Sequence, residues 1–199
     1  VVLFRRPTGI STEPEGDIFV VSLGTQEILR INPNGRIVRR LRGGLEGLDR
    51  PFDVEWLDGE LYVSEFGRDR ITVLDANGAQ VRVFGRTGLD PGDLLGPQYI
   101  DVDDAGFIYV TEWGNRRISK FSPSGEFVLT FGTPTRFFDG LESPTGIAIR
   151  DQRVYVADIQ GNQPVLQVFD LSGNHRGAVL LPLTMEDAPE HGIGTTVVE

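Results

Sequence analysis

The sequence predicts an all-β protein, a β-propeller built from four-stranded blades. Three observations support this: a repeat in the forties, many glycine-containing turns, and short strands rich in aromatic and β-branched residues. A proline opens each repeat, with successive spacings of 44, 46, 47 and 45 residues: Pro7, Pro51, Pro97, Pro144 and Pro189. Self-similarity at this period, built from short strands, is the sequence signature of propeller blades.

The repeat divides the chain into blades of nearly equal length. We treat 1–199 as a single propeller domain, in which the opening of a fifth blade follows at 189. The four complete blades lie at about 7–50, 51–96, 97–143 and 144–188. Six blades of about 45 residues would need about 270 residues, so we expect this stretch to be an incomplete part of a six-bladed ring.

The third repeat shows the predicted order of elements within a blade. An inner strand at 98–102 is followed by a second strand at 108–110, a polar loop, a third strand at 118–121, a turn and an outer strand at 127–131. The alternation of aromatic and β-branched residues is typical of strands packed on both faces. In the fourth repeat the polar loop between the second and third strands is predicted at 157–164.

Composition excludes several classes of chemistry. The chain has no cysteine, which removes disulfides, thiolate metal sites and cysteine nucleophiles. Its net charge of −10 argues against nucleic-acid binding, which needs clustered positive charge. No apolar run reaches the roughly 18 residues that span a bilayer. Lack of cysteine suits an extracytoplasmic protein, periplasmic or secreted, and the arginine-rich, acidic composition suggests a bacterial origin.

Four motifs characterise the blades, and three of them recur in more than one blade. They are the Pro-x-x-Ile/Val opening, the Tyr-Val-x-Asp/Glu step at 62–65, 109–112 and 155–158, the Gly-Asn-Arg-Arg-Ile run at 114–118, and the Phe-Gly pairs at 84–85 and 131–132. Together they resemble the NHL-repeat family of β-propellers over nearly the whole chain. Ser22, where a carboxylate is usual, and Gln163-Pro164 depart from the pattern. The resemblance implies the fold more strongly than a ligand, since propellers of this family serve many roles.

Aromatic and arginine side chains cluster in the loops expected on one face of the propeller. The loops between second and third strands and the connections between blades share that face, where ligands usually bind. Exposed aromatics flanked by arginines are typical anchors for a protein or peptide partner, although such rings can also pack over the adjacent blade. The predicted partner-binding residues are Phe66, Arg68, Trp113, Arg116, Phe137 and Phe138.

Three carboxylates, Glu65, Glu112 and Asp158, recur at one position of the repeat. A residue repeated in every blade is more often structural, accepting backbone N–H bonds in its loop or pairing with the loop arginines Arg70 and Arg117. The alternative is a divalent cation, calcium, held in the central channel by oxygen ligands, as in lactonase-type propellers.

The remaining candidates for catalysis are sparse. Histidine occurs twice, at His175 and His191, whereas a zinc site would need several converging histidines. Arg36, Arg39 and Arg40 fall on a predicted outer strand, so a charged, solvated edge explains them better than an RNA site.

The sequence therefore favours a non-enzymatic binding or scaffolding module that recognises a protein or peptide partner through its loop face, with no cofactor. A hydrolase or lyase of the six-bladed type, with a divalent cation in its channel, stays open as the alternative.

Overall fold

Four antiparallel sheets, each of four strands, make up the described part of the protein. The computed structural model describes residues 4–180 of the 199-residue chain. Within each sheet the strands neighbour one another in chain order. The first strands of successive sheets contact each other in turn, so they lie innermost and the fourth strands lie at the circumference. The predicted all-β propeller of four-stranded blades is therefore confirmed.

The strand bounds follow the repeat. Blade 1 contains β1 (Pro7–Thr12), β2 (Ile18–Ser22), β3 (Glu27–Ile31) and β4 (Ile37–Leu41), with a 3₁₀ turn at Leu23–Thr25. Blade 2 contains β5 (Pro51–Leu57), β6 (Glu60–Glu65), β7 (Arg70–Asp75) and β8 (Gln80–Phe84). Blade 3 contains β9 (Pro97–Val102), β10 (Ile108–Glu112), β11 (Arg117–Phe121) and β12 (Phe127–Phe131). Blade 4 contains β13 (Pro144–Arg150), β14 (Arg153–Gln160), β15 (Gln163–Asp170) and β16 (His175–Leu180).

One predicted loop is wrong. Residues 157–164 of blade 4 are mostly strand, because β14 and β15 continue pairing to the rung that joins Gln160 and Gln163. A two-residue connection closes this hairpin, and its Gly161 adopts a φ of +61°. Such tight hairpins favour glycine at positive φ, which allows the ladder to extend to the turn. The start of the fifth blade at Pro189 lies outside the described residues.

Within residues 4–180, three of the four hydrophobic clusters lie between neighbouring blades. Phe19 of blade 1 stacks on Trp56 of blade 2, with ring centroids 5.3 Å apart and planes 8° from parallel. Tyr62 of blade 2 packs in one cluster with Val110 of blade 3. Tyr109 of blade 3 is similarly buried in a cluster that includes blade 4. Each sheet is thus stabilised mainly by apolar burial against its neighbour.

In blades 2 and 3 a glycine after the outer strand makes room for a leucine of the next inter-blade loop. Gly85 has a φ of +80°, and a Cβ atom there would lie 2.5 Å from the Leu94 side chain. Gly132 and Leu141 repeat this geometry, with a φ of +87° and the same 2.5 Å approach. Both leucines are buried. The Phe-Gly motif is therefore a packing requirement of the inter-blade loop.

We predict that Gly85→Ala destabilises the fold more than Gly35→Ala. Gly35 shares a positive φ, +75°, but nothing lies within 4 Å of a Cβ added there. Both substitutions place an alanine in a left-handed backbone conformation, which lowers the free energy of unfolding. Gly85→Ala also pushes a methyl group against Leu94, which should lower it by about 1–3 kcal/mol more. Urea unfolding of both variants measures the difference. Equal losses would show that Leu94 moves aside and that backbone conformation alone requires the glycine.

Candidate functional site

The repeated carboxylate of blade 3 forms a buried network within its own loops. Glu112 is fully buried and pairs with Arg117, whose Nε lies 2.8 Å from its Oε1. Its other oxygen accepts the backbone N–H of Leu95 at 3.1 Å and a bond from Asn115 Nδ2 at 2.5 Å. Ser119 donates to it as well. The carboxylate thereby fixes the loop that leads into blade 3.

In the other blades the side chain at the equivalent position also accepts a backbone N–H from the loop before the inner strand. Glu65 accepts the backbone N–H of Asp49 at 2.6 Å and pairs with Arg70 Nε at 2.6 Å. Asp158 accepts the N–H of Ser143 at 2.7 Å. In blade 1, Ser22 Oγ accepts the N–H of Arg5 at 3.2 Å. In each case the donor lies one or two residues before the proline that opens the inner strand.

Glu65, Glu112 and Asp158 are not brought together. Each is bound in the loops at its own blade, and within residues 4–180 there is no group of three or more histidines or carboxylates arranged to hold a metal ion. The oxygens that calcium would need are already occupied by backbone amides and arginines.

A second set of carboxylates lies on the inner strands, and sequence reasoning missed it. Asp53 accepts the N–H groups of Val54 and Ile100, both at 2.9 Å, and so links blade 2 to blade 3. Asp101 accepts the N–H of Ile149 in blade 4 in the same way. The sequence signal was the presence of carboxylates within the inner strands, at Asp53, Glu55 and Asp101.

Burial raises the pKa values of these groups. Desolvation raises the pKa of Asp53 to about 7, although two backbone N–H groups donate to its carboxylate and lower the pKa. Desolvation, followed by repulsion from Asp101 and Asp53, raises the pKa of Glu55 to about 8. Desolvation also raises the pKa of Asp101. The inner strand of blade 2 therefore holds two carboxyl groups whose pKa values lie near neutral pH, beside Asp101 of blade 3, whose pKa is also raised.

Two of the six predicted partner-binding residues are engaged within the loop face. Phe66 is half-buried, with the Arg50 guanidinium 5.1 Å from its ring centroid and the Phe52 ring 6.4 Å away. Arg68 donates to the carbonyl oxygens of Gly47 and Glu46, at 2.7 and 3.2 Å. These contacts give both side chains a role in holding the loops.

Three of the other four predicted residues are exposed to solvent. Phe137 is 88% exposed and Trp113 is 52% exposed. Arg116 is exposed as well and adopts a φ of 53° in its turn. Phe138, beside Phe137, is half-buried and stacks on His175 with ring centroids 4.3 Å apart. The face thus presents two aromatic side chains and one arginine to solvent.

A groove of about 800 Å³ runs between the outer strands of blades 3 and 4. Aromatic side chains of the 133–143 loop and polar side chains of blade 4 line it, including Phe137, Phe138, Gln160, Gln167 and His175. His175 Nε2 lies 2.9 Å from Gln167 Oε1, and desolvation lowers the pKa of this histidine. The sequence predicted the two phenylalanines but carried no signal for the glutamines.

The geometry defines the protein as a β-propeller, and comparison with solved structures agrees. No protein-family model matches the sequence. The fold is similar to that of a streptogramin B lyase, with a TM-score of 0.71 and 18% identity over 91% of this chain and 56% of that one. The structure of a catalytically inactive variant of virginiamycin B lyase from Staphylococcus aureus with quinupristin is also similar. Its TM-score is 0.68 and its sequence identity is 21%, over 89% of this chain and 56% of that one.

A protein of unknown function from Bacteroides caccae has the same fold, with a TM-score of 0.62 and 16% identity over 87% of this chain and 60% of that one. The chain therefore spans between about half and two thirds of the length of these structures. At such identities the likeness shows the propeller fold alone. The NHL assignment remains a resemblance.

We predict that Glu112→Gln lowers the free energy of unfolding by about 2–4 kcal/mol, because it leaves the buried Arg117 without its charge partner. The matched control is Glu15→Gln, at an exposed position of blade 1, which should change stability by less than about 0.5 kcal/mol. Denaturant unfolding at pH 7 measures both. A loss no larger than that of the control would mean that the loop is held without Glu112.

We predict that the protein becomes less stable as pH rises from about 5 to 8. The pKa of Glu55 is higher in the folded protein, about 8 against an ordinary 4.5, so the stability present below pH 4.5 is lost as pH rises towards 8. The stability of Glu55→Gln should fall less steeply over this pH range. At pH 8 its free energy of unfolding should be higher than that of the wild type by about 1 kcal/mol or more.

Thermal unfolding across that pH range tests the effect of Glu55. Glu15→Gln again serves as the control and should follow the wild-type profile. If Glu55→Gln also declines like the wild type, Glu55 is ionised throughout and the slope has another source.

Proposed function

We propose that this protein is a non-enzymatic binding module that recognises a protein or peptide partner through its loop face. One observation carries the proposal: Phe137, 88% exposed, stands at the rim of the groove between blades 3 and 4. Large aromatic side chains left in solvent at the edge of a concave surface are typical anchors of binding sites.

The groove suits a peptide segment with an apolar or aromatic side chain. Its volume of about 800 Å³ lies within the range of ligand pockets, and it opens to solvent along one side. Phe137 and Phe138 supply apolar contact area, while Gln160 and Gln167 offer amide groups that could bind a peptide backbone. Trp113 and Arg116 on the same face would extend the contact beyond the groove.

The repeated carboxylates support a structural role rather than a catalytic one. Because Glu65, Glu112 and Asp158 are bound to loop amides, the proposal includes no metal ion or other cofactor. Residues 4–180 contain no helix that is long and apolar enough to cross a membrane. We retain an extracytoplasmic location as part of the proposal, since the chain lacks cysteine.

A lyase is the second candidate, favoured by the structural likeness to streptogramin and virginiamycin B lyases. Asp53 and Glu55 would be its candidate acid and base, because their raised pKa values, about 7 and 8, suit proton transfer near neutral pH. His191 lies outside the described residues. Incubation with quinupristin, followed by chromatography, tests this candidate. Conversion by the wild type that Glu55→Gln abolishes would favour the lyase.

We predict that Phe137→Ala weakens peptide binding at least about tenfold, or 1.4 kcal/mol, without changing the melting temperature. The probe is a peptide selected from a random displayed library against the immobilised wild-type protein, with Kd measured by calorimetry. The control is Val38→Ala, 50% exposed on outer strand β4 of blade 1, which should bind normally. A library that yields no binder, or binders indifferent to Phe137, would contradict the proposal.

A further inference from the structure

The third strand of blade 4 lacks an arginine that blades 2 and 3 both have. In blade 4 the residue opposite Asp158 is Val165. In the two earlier blades the residue opposite the repeated carboxylate is an arginine that forms an ion pair with it: Arg70 with Glu65, and Arg117 with Glu112. Position 165 is therefore the place where the repeat loses its arginine.

The buried carboxylate of blade 4 consequently has no cationic partner in the part of the chain that the structure describes. Asp158 is 1% exposed, and within residues 4–180 its hydrogen-bond donors are the backbone N–H groups of Glu142 and Ser143. Every arginine and the single lysine of the sequence lie in that range. Because an unpaired buried charge costs free energy, a cation supplied from outside would be stabilised near this carboxylate.

In blade 3 the arginine holds the inter-blade loop against the strands. Arg117 donates to three carbonyl oxygens of the 86–96 loop: those of Leu89 at 3.0 Å, Asp90 at 3.3 Å and Asp93 at 2.8 Å. A planar guanidinium carries five N–H donors, so one side chain serves the buried carboxylate and the loop together.

The loop before blade 4 keeps one contact of this kind. The 133–143 loop matches the 86–96 loop in length, and Leu141 takes the place of Leu94. The carbonyl oxygen just before Leu141 accepts a hydrogen bond from Gln160 at 3.0 Å. A neutral amide thus replaces one hydrogen bond of the arginine but not its charge.

The groove lies at this interface. Thr135 donates its N–H to the carbonyl oxygen of Phe138 at 2.6 Å, so the tip of the loop turns back on itself. The groove of about 800 Å³ runs between this loop and blade 4, and its lining includes Asp139 and Gln160. It is therefore located at the interface between blades that lacks the arginine.

Acidic groups prevail among the charges of the groove. Asp139 is exposed in its lining, and Asp158 is buried where the same loop ends. Arg176 also lines the groove, but its guanidinium pairs with Asp170 at 2.6 Å. Desolvation lowers the pKa of His175, which favours the neutral imidazole. The groove thus favours a positive side chain over a negative one.

The aromatic side chains of the loop face already pack against arginines. The guanidinium carbon of Arg136 lies 5.5 Å from the ring centroid of Phe137, and that of Arg50 lies 5.1 Å from the ring of Phe66. A guanidinium stacks well on an aromatic face, and its methylene stem packs on apolar surface. Since Phe137 is 88% exposed, its ring has room for a second contact of this type.

We propose that the groove binds an arginine side chain of the peptide partner, with its methylene stem against Phe137 and its guanidinium beside Asp139. The inference rests on the proposed function and names the side chain that anchors the partner. The partner's arginine would supply at this interface the charge that Arg117 supplies one blade earlier. Lysine fits less well, because its point charge lacks the planar fork of donors.

Peptide pools measure this preference. The probes are fluorescent pentapeptide pools with a fixed central residue and random uncharged flanks: one pool with arginine, one with its uncharged isostere citrulline, and one with leucine. Anisotropy titrations with the native protein give the affinity of each pool. We expect the arginine pool to bind about tenfold or more tightly than the citrulline pool, and less tightly as salt is added. Equal affinities of these two pools would overturn the proposal.

Two variants locate the binding site. Val165→Arg restores the arginine opposite Asp158, so the melting temperature should stay at or above that of the wild type and the arginine pool should bind about tenfold more weakly. Asp139→Asn leaves the core unchanged and should weaken the arginine pool but not the leucine pool, which decides the matter if Val165→Arg does not fold. Asp104→Asn, exposed in the turn between β9 and β10, is the matched control and should bind like the wild type. Unchanged arginine binding by Asp139→Asn would overturn the proposal.

The same titrations separate this inference from the proposed function. Leucine-pool binding that Phe137→Ala abolishes, together with arginine binding no tighter than leucine binding, would leave the peptide-binding groove in place and show the arginine preference to be wrong. Absence of binding by every pool would contradict both.

Discussion

A hydrogen bond between the end of each second strand and the loop before the next inner strand underlies this architecture. In blades 2 to 4 a buried carboxylate accepts one or more backbone N–H groups just before the opening proline, and in blade 1 a serine hydroxyl does so. The N–H groups of the loop need an acceptor there, because a buried backbone donor left without a partner costs free energy. This contact fixes the loops that lead into the inner strands.

In blades 2 and 3 the same carboxylates organise the arginines. Arg117 reaches from Glu112 to the carbonyl oxygens of Leu89 and Asp93, at 3.0 and 2.8 Å, and so connects the strand, the carboxylate and the preceding loop. Charge-assisted bonds of this kind hold a long loop in one conformation. The exposed Trp113 follows directly after Glu112, so its position on the surface depends on the buried ion pair of Glu112 and Arg117.

The sequence predicted the propeller, the four blades and most strands because these depend on local patterns: the proline period, two-residue alternation and turn glycines. It predicted the availability of side chains less well. Phe66 and Phe137 look alike in sequence, yet Arg50 and Phe52 contact Phe66 while Phe137 is left in solvent. That difference arises from loop packing between residues far apart in the chain. The groove was missed for the same reason, since Gln160 and Gln167 come together with Phe138 only after the blades dock.

Because the main apolar cores lie between neighbouring sheets, the interface between two blades, rather than the single blade, is the unit that stabilises the fold. The four blades of residues 4–180 form three interfaces between neighbouring blades. Loss of a blade at the end of this row removes one interface, and loss of an internal blade removes two. Stability is therefore distributed along the row of blades as it is in a one-dimensional repeat array. Since every interface between blades uses equivalent positions of the repeat, whole blades can be gained or lost in evolution by duplication or deletion of about 45 residues. The residues of the remaining interfaces need not change.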